Sequence, residues 1–315
     1  MPKGDGEFKR TTSQFRKTIP SSEFPAEAGR YAIYFNYGCP WAHRTLIVRH
    51  LKSLQDIIEL VEVDSFDVAR GWTFSGEYGP SQDPITGEKY LRDVYRRSDP
   101  KALENGIASV PVLFDKKTGT IVNNESSEII RILYSGFDSL LPAPLRESSK
   151  GPAALLPPHL QPDIDEMNAW VYEKVNNGPY RVGFARTQEA YEANIPKFYE
   201  GLDAIERHLE APEHRPYLFG EHITEADIRL YPTLVRWDPA YSRFFARGPS
   251  DVRFIRDAYP RAHDWLRNLY WDESERTNGG AFKHTVKLER MREGIVKLPN
   301  IDTSREGPSP DVLPL

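Results

Sequence analysis

The chain has 315 residues, 39% hydrophobic and 12% aromatic, enough for a sizeable core and about two domains, which excludes a disordered chain. Its 41 basic and 46 acidic side chains leave a net charge of −5, the wrong sign for a nucleic-acid footprint. No apolar run approaches the roughly 20 residues that span a bilayer, so neither nucleic acid nor membrane is an expected partner.

Residues 1–28 are polar and mixed and read as an irregular N-terminal extension. Met1–Lys17 has no apolar stretch of the secretory kind, so a cytoplasmic location is expected. Tyr31–Phe35 is a β-rich run, and Ala42, Leu46, Ile47, Leu51 and Leu54 then recur at helical spacing. Ile57–Val63 follows as a second strand, so the pattern is strand–helix–strand, with its two strands parallel. Residues 65–89 are rich in Gly and Pro and read as a long loop without elements of its own, ordered by Trp72 and Phe74. Tyr90–Arg97 is a short helix, Val110–Val122 a hairpin around Lys116–Gly119, and Glu125–Leu133 a helix. This completes a small α/β unit over residues 29–135.

Residues 136–162 are proline-rich and read as a linker. Beyond them, residues 163–315 read as an all-α domain with an extended tail from Val296. Ile195, Phe198, Leu202, Ile205 and Leu209 mark one amphipathic helix. Thr224-Glu-Ala-Asp227, with Ile223 and Ile228 around it, has the form of a capping box and hydrophobic staple. Pro260–Tyr270 is a further helix.

The chain has one cysteine, Cys39, which excludes an internal disulfide framework. The eight histidines are scattered, so no metal site is expected. Cys39 lies between a strand and a helix, just before Pro40. Proline at the first helical position loses no hydrogen bond, which leaves Cys39 at the helix N-terminus. There the unpaired N–H groups and the dipole favour a thiolate. The residue is either an inert core thiol or a reactive one.

The string Tyr37-Gly-Cys-Pro-Trp-Ala-His-Arg44, with Gly71-Trp72, Val110-Pro111 and Asn123-Asn-Glu-Ser126, resembles the glutathionyl-hydroquinone reductases. These are the xi-class glutathione transferases, related to the omega class. The resemblance runs from about residue 25 to residue 243. It implies a glutathione transferase fold, an α/β thioredoxin-like N-terminal domain plus an all-α C-terminal domain. It also implies glutathione as cosubstrate and a homodimer. Cys39 would be the nucleophile. Val110, before a cis proline, would pair through its backbone with the cysteinyl part of glutathione. Ser126 would hold the γ-glutamyl carboxylate at a helix N-terminus, Glu125 would meet the ammonium group, and Trp72 would line the pocket. The plainer alternative for Ser126 is an ordinary N-cap. Tyr180, in Asn176–Phe184, matches a tyrosine that faces an aromatic or quinone-like second substrate, and Tyr241 a second aromatic position.

After Tyr241 the sequence departs from the family pattern. Ser242–Arg247 replaces a His-Phe-Lys-Cys-Asn stretch, and Thr285–Arg290 lacks the tyrosine of a His-Tyr-Tyr stretch. The glutathione half is expected intact and the hydroquinone half altered. Two alternatives accompany this reading. One is an omega-like thioltransferase or dehydroascorbate reductase, the other a non-catalytic ligand-binding homologue.

Overall fold

A computed structural model describes residue 6 and residues 11–67, 69–104, 106–245, 252–296 and 307–315. It divides into two compact units, residues 11–151 and residues 152–315 with the first ten.

The first unit is built on a four-stranded sheet of β1 (Tyr31–Phe35), β2 (Ile58–Glu62), β5 (Val112–Asp115) and β6 (Thr120–Asn123), in the order β2-β1-β5-β6. β1 pairs with β2 in parallel and with β5 antiparallel, and β5 pairs antiparallel with β6. All five residues of β1 are buried, the mark of a central strand covered on both faces and the reason its sequence shows no alternation. Helices α1 (Pro40–Leu51) and α3 (Ser126–Ser135) pack together, and α2 (Leu91–Ser98) lies against β6. The predicted strand–helix–strand, hairpin and helix order is present.

Three segments of this unit differ from the sequence reading. Residues 65–89 hold a small hairpin, β3 (Ser65–Asp67) and β4 (Gly71–Thr73), with Phe66 opposite Trp72. Three-residue strands carry too little periodicity to be read. The Asp67 carboxylate accepts from the N–H groups of Ala69 (2.8 Å) and Arg70 (2.7 Å), closing the turn onto Gly71 at φ +82°. Two buried carboxylates fasten the rest. Asp64 accepts from the N–H groups of Ser75, Glu77 and Tyr78, and Asp83 from the Tyr34 hydroxyl at 2.7 Å.

A second segment is the N-terminal one, whose described residues 11–28 are irregular but packed. Arg16 bridges Asn123, Lys17 N–H donates to the Val122 carbonyl at 3.0 Å, and Ile19 and Phe24 are buried. It covers the exposed edge of β6. The stretch after residue 135, read as linker, forms 3-10 turns at Asp138–Leu140, Ala143–Leu145 and Glu147–Ser149 within the same unit. The buried Lys52 ammonium holds them, donating to the Leu145 carbonyl and pairing with Glu147 (3.4 Å) and Asp138 (3.6 Å). Chain position alone suggested neither attachment.

The second unit holds α4 (Gln161–Trp170), α5 (Gly178–Gly183), α6 (Gln188–His208), α7 (Glu225–Trp237), α8 (Ile255–Ala258), α9 (Pro260–Trp271), α10 (Ala281–His284) and α11 (Leu288–Val296). Among its described residues there is no strand. α6 starts a full two turns before the predicted stretch, capped by the Thr187 hydroxyl accepting from Ala190 N–H at 3.1 Å. Its polar first turns and the internal Pro196 hide that start from the sequence. Part of the tail, residues 297–306, lies outside the described residues. No described helix is long and apolar enough to cross a membrane.

The predicted capping box is formed at α7. Thr224 N–H donates to Asp227 at 2.8 Å. Asp227 is fully buried and also accepts from Leu218 N–H (2.9 Å), the Trp265 indole (2.8 Å) and the Thr224 hydroxyl (3.0 Å). Burial raises its pKa, against the pull of these donors. Asp227→Ala orphans several buried donors and is expected to cost about 3 kcal/mol or more. At about 2 °C per kcal/mol for a domain of this size, thermal melting should show a drop of about 6 °C. An unchanged midpoint would mean that water reaches these donors.

Candidate functional site

Cys39 is placed by the turn that leaves β1. The Asn36 side chain accepts from Gly38 N–H (2.8 Å) and donates to the Val63 carbonyl beyond β2 (2.8 Å), and its own carbonyl accepts from Cys39 N–H (3.0 Å). This Asx turn delivers Cys39 to the N-cap of α1 with Pro40 behind it. Sequence reading missed Asn36, although an Asn two residues before Gly38 is a turn signature. Cys39 is half-buried, and its Sγ is 3.5 Å from the Val110 carbonyl oxygen. The thiol donates in that contact, so the carbonyl favours the protonated form while the helix terminus favours the thiolate. The Val110–Pro111 peptide bond is cis, as the resemblance implied.

Farther along α1, the Arg44 guanidinium is buried over the Trp41 ring at 4.5 Å from its centroid. It also donates to Ser126 Oγ at 3.5 Å. Ser126 is buried and is the first residue of α3, but it is not the cap. Glu125 is. Its carboxylate accepts from Ser127 N–H (3.2 Å) and the Ser127 hydroxyl (3.0 Å) on one oxygen, and from the Ser13 hydroxyl (2.9 Å) on the other. The N-cap reading of Ser126 is therefore corrected. A hydroxyl has one proton and two acceptor positions, so accepting from Arg44 leaves the Ser126 proton to donate elsewhere. Asn123 and Asn124 hold this corner in shape, Asn123 by accepting from Glu125 N–H (2.8 Å) and Asn124 by donating to the Tyr95 hydroxyl (3.1 Å).

The first unit thus brings Cys39 against Val110, and Arg44 against Ser126 beside Glu125. Trp72 stands apart from these contacts on the β3–β4 hairpin, its half-buried ring edge-on to the exposed Phe66 at 5.2 Å. Among the described residues no group of three His, Cys, Asp or Glu could hold a metal ion.

In the second unit, the Tyr180 and Tyr241 hydroxyls are 3.1 Å apart. Tyr180 is on α5, just after a π-helical turn at Val171–Asn176, a feature frequent at functional sites. The buried Asn176 anchors that turn by donating to Thr233 (2.9 Å) and to the Arg229 carbonyl (3.2 Å). Phe184 stacks near-parallel to Tyr180 and Phe244 to Tyr241, with centroids 5.9 and 5.7 Å apart. Tyr241 is buried and Tyr180 half-buried, so Tyr241 backs the hydroxyl of a more accessible Tyr180. A Cβ on Gly183 would come within 2.6 Å of the Phe244 ring, so only glycine allows this aromatic packing. Phe244, in a stretch that departs from the family pattern, was not recognised as part of this cluster. The later departure begins α11 at Leu288, and Phe282 packs in the core against Tyr231.

A four-stranded mixed sheet with its cysteine at the first helix, followed by an all-helical unit, defines a glutathione transferase. Residues 38–135 match the N-terminal and residues 188–268 the C-terminal glutathione S-transferase domain family. The chain is 43% identical to glutathione S-transferase omega-like 2 of Schizosaccharomyces pombe, over 89% of this chain and 87% of that one. It is 41% identical to glutathionyl-hydroquinone reductase YqjG of Escherichia coli, over 84% of this chain and 79% of that one. The structure of the Xi glutathione transferase ECM4 from Saccharomyces cerevisiae in complex with glutathione superposes with a TM-score of 0.84 at 35% identity, covering 98% of this chain and 99% of that one. The chain belongs to the glutathione transferase family, in its Xi, omega-like branch with the glutathionyl-hydroquinone reductases, and is a glutathione-dependent enzyme.

Proposed function

We propose that the enzyme reduces glutathionyl-hydroquinones or related glutathione adducts through a Cys39–glutathione mixed disulfide. The observation that carries this is the chain's one cysteine at the N-cap of α1, 3.5 Å from the backbone carbonyl that precedes a cis proline. The Cys39 thiolate attacks the sulfur of the adduct. The carbon–sulfur bond breaks, its electron pair leaves with the hydroquinone carbon, and that carbon takes a proton from Tyr180. A second glutathione thiolate then attacks the mixed disulfide, releasing oxidised glutathione and the Cys39 thiolate. The relative bound to glutathione supports glutathione as cosubstrate, and the hydroquinone substrate rests on the name of the Escherichia coli relative. A homodimer and a cytoplasmic, glutathione-rich setting belong to the same proposal and rest on the resemblance.

Glutathione would lie with its cysteinyl backbone on Val110 and its γ-glutamyl carboxylate at the N-terminus of α3. There the Ser126 hydroxyl donates, Glu125 receives the ammonium group, and Trp72 closes the side. Tyr180 and Tyr241 take the aromatic acceptor. Ser126→Ala removes a hydrogen bond to a charged group, worth about 1.5–3 kcal/mol. It should weaken glutathione binding by roughly tenfold or more in calorimetry. Because Glu125 provides the cap, the variant keeps α3 intact, and unchanged affinity would remove Ser126 from the clamp.

A second reading, an omega-like thioltransferase, is favoured by the similarity to the omega-like 2 protein and uses the same Cys39. A panel of a glutathionyl-benzohydroquinone, a small glutathione mixed disulfide and a conjugation substrate separates them. Turnover of both glutathionylated substrates, with the altered Thr285–Arg290 stretch weakening the hydroquinone, is expected. Turnover of the mixed disulfide alone supports the second reading, and turnover of the conjugation substrate alone overturns both.

A further inference from the structure

Building on the glutathione clamp proposed above, we propose that residues 11–17 are a strap that sets its geometry, with Ser13 a positioning residue acting through Glu125. Ser13 Oγ lies 2.9 Å from Glu125 Oε2 and 3.3 Å from the Asn124 carbonyl. Its single proton goes to the nearer, charged acceptor. The other Glu125 oxygen is held by Ser127 as the helix cap. Held at both oxygens, the carboxylate cannot rotate about its last torsion. Oε1 already takes both Ser127 donors, so the lone pair left for an incoming ammonium group is on Oε2, the oxygen that Ser13 holds.

The strap itself is fixed by the residues that flank Glu125. Phe15 N–H donates to the Asn124 side chain at 3.0 Å, and Asn124 N–H donates to the Phe15 carbonyl at 3.1 Å. The Asn123 side chain donates to the Lys17 carbonyl (3.0 Å) and to Glu128 (2.9 Å), and Glu128 also pairs with Arg16. The Phe15 ring sits edge-on to Tyr95 at 5.8 Å, and the Tyr95 hydroxyl accepts from Asn124. The two asparagines of the Asn-Asn-Glu-Ser string are thus the receptor for the strap. The glutamate is what the strap steadies.

The test uses the full chain, with calorimetry on glutathione and on an analogue lacking the γ-glutamyl amino group. Ser13→Ala should weaken glutathione by about fivefold, the scale of one hydrogen bond. It should leave the analogue's affinity unchanged, because the analogue has no ammonium group for Glu125 to meet. Ser13→Thr, which keeps the hydroxyl, should restore binding. In Glu125→Ala, adding Ser13→Ala should cost nothing more. A Ser13→Ala variant that binds glutathione as the wild type does, or loses both ligands equally, overturns the strap's role while Glu125→Ala still weakens binding. If Glu125→Ala alone leaves glutathione affinity unchanged, the clamp reading fails instead.

Discussion

Cys39→Ala is expected to abolish reductive deglutathionylation, by on the order of 10⁴-fold or more, while glutathione still binds. No second thiol exists to replace it, because Cys39 is the chain's one cysteine. The groups proposed to hold glutathione, Val110, Glu125 and Ser126, reach it through backbone, carboxylate and hydroxyl, so binding and chemistry separate cleanly. Mass spectrometry of the wild type after incubation with a glutathionyl substrate should show one added glutathione on Cys39. The alkylation rate should rise with pH around a midpoint below the ordinary thiol value of about 8.5, because the N-terminus of α1 stabilises the anion. The Val110 carbonyl opposes this, since its 3.5 Å contact exists only for the thiol. Bound glutathione would occupy that carbonyl and should lower the midpoint further. Retention of full turnover by Cys39→Ala would remove the mixed disulfide from the mechanism.

The second large effect is expected at Tyr180→Phe. In the proposed reaction the hydroquinone leaves as a carbanion, and a proton must reach the carbon as the bond to sulfur breaks. General acid catalysis contributes about 10²–10⁴-fold, so hydroquinone release should slow by that order while glutathione affinity stays within about twofold. Tyr180 is proposed as the donor because it is the more accessible of the two tyrosines, whose hydroxyls are 3.1 Å apart. Tyr241 is buried behind it, stacked on Phe244, and can hold or resupply the proton. Tyr241→Phe should therefore give the smaller loss. Because the thioltransferase reaction expels a thiolate rather than a carbanion, mixed-disulfide turnover should be nearly indifferent to Tyr180→Phe. Equal losses on both substrates would point to a general packing defect, and no loss on either would place the acid elsewhere.

The physical origin of what could be read early is local. A β-rich run gives the strand before Cys39 and helical spacing the helix after it, because each pattern is set by neighbours within one turn or one pleat. Proline after Cys39 fixes the start of α1, and Thr224 with Asp227 fixes the start of α7, since a cap is satisfied within three residues. The Val110–Pro111 and Asn123–Ser126 strings carry the family resemblance by the same short-range logic.

Tertiary structure decided which side chains meet across the chain. Ser13 and Glu125 are 112 residues apart, and Arg44 and Ser126 are 82 apart, so no spacing rule links either pair. Glu125 rather than Ser126 caps α3 because its backbone is still extended (φ −102°, ψ 112°) and its carboxylate accepts from Ser127 N–H, while the Ser126 hydroxyl meets Arg44 from another helix. Asp67 closes the β3–β4 turn, while Asp64 and Asp83 fasten the stretch after it, Asp64 through the N–H groups of Ser75, Glu77 and Tyr78 and Asp83 through the Tyr34 hydroxyl of β1. Sequence by itself determined most of the elements, the fold class and the place of Cys39 at a helix end. The shape of the proposed glutathione clamp also needed long-range hydrogen bonds, whose donors and acceptors become partners once the sheet has brought distant segments together.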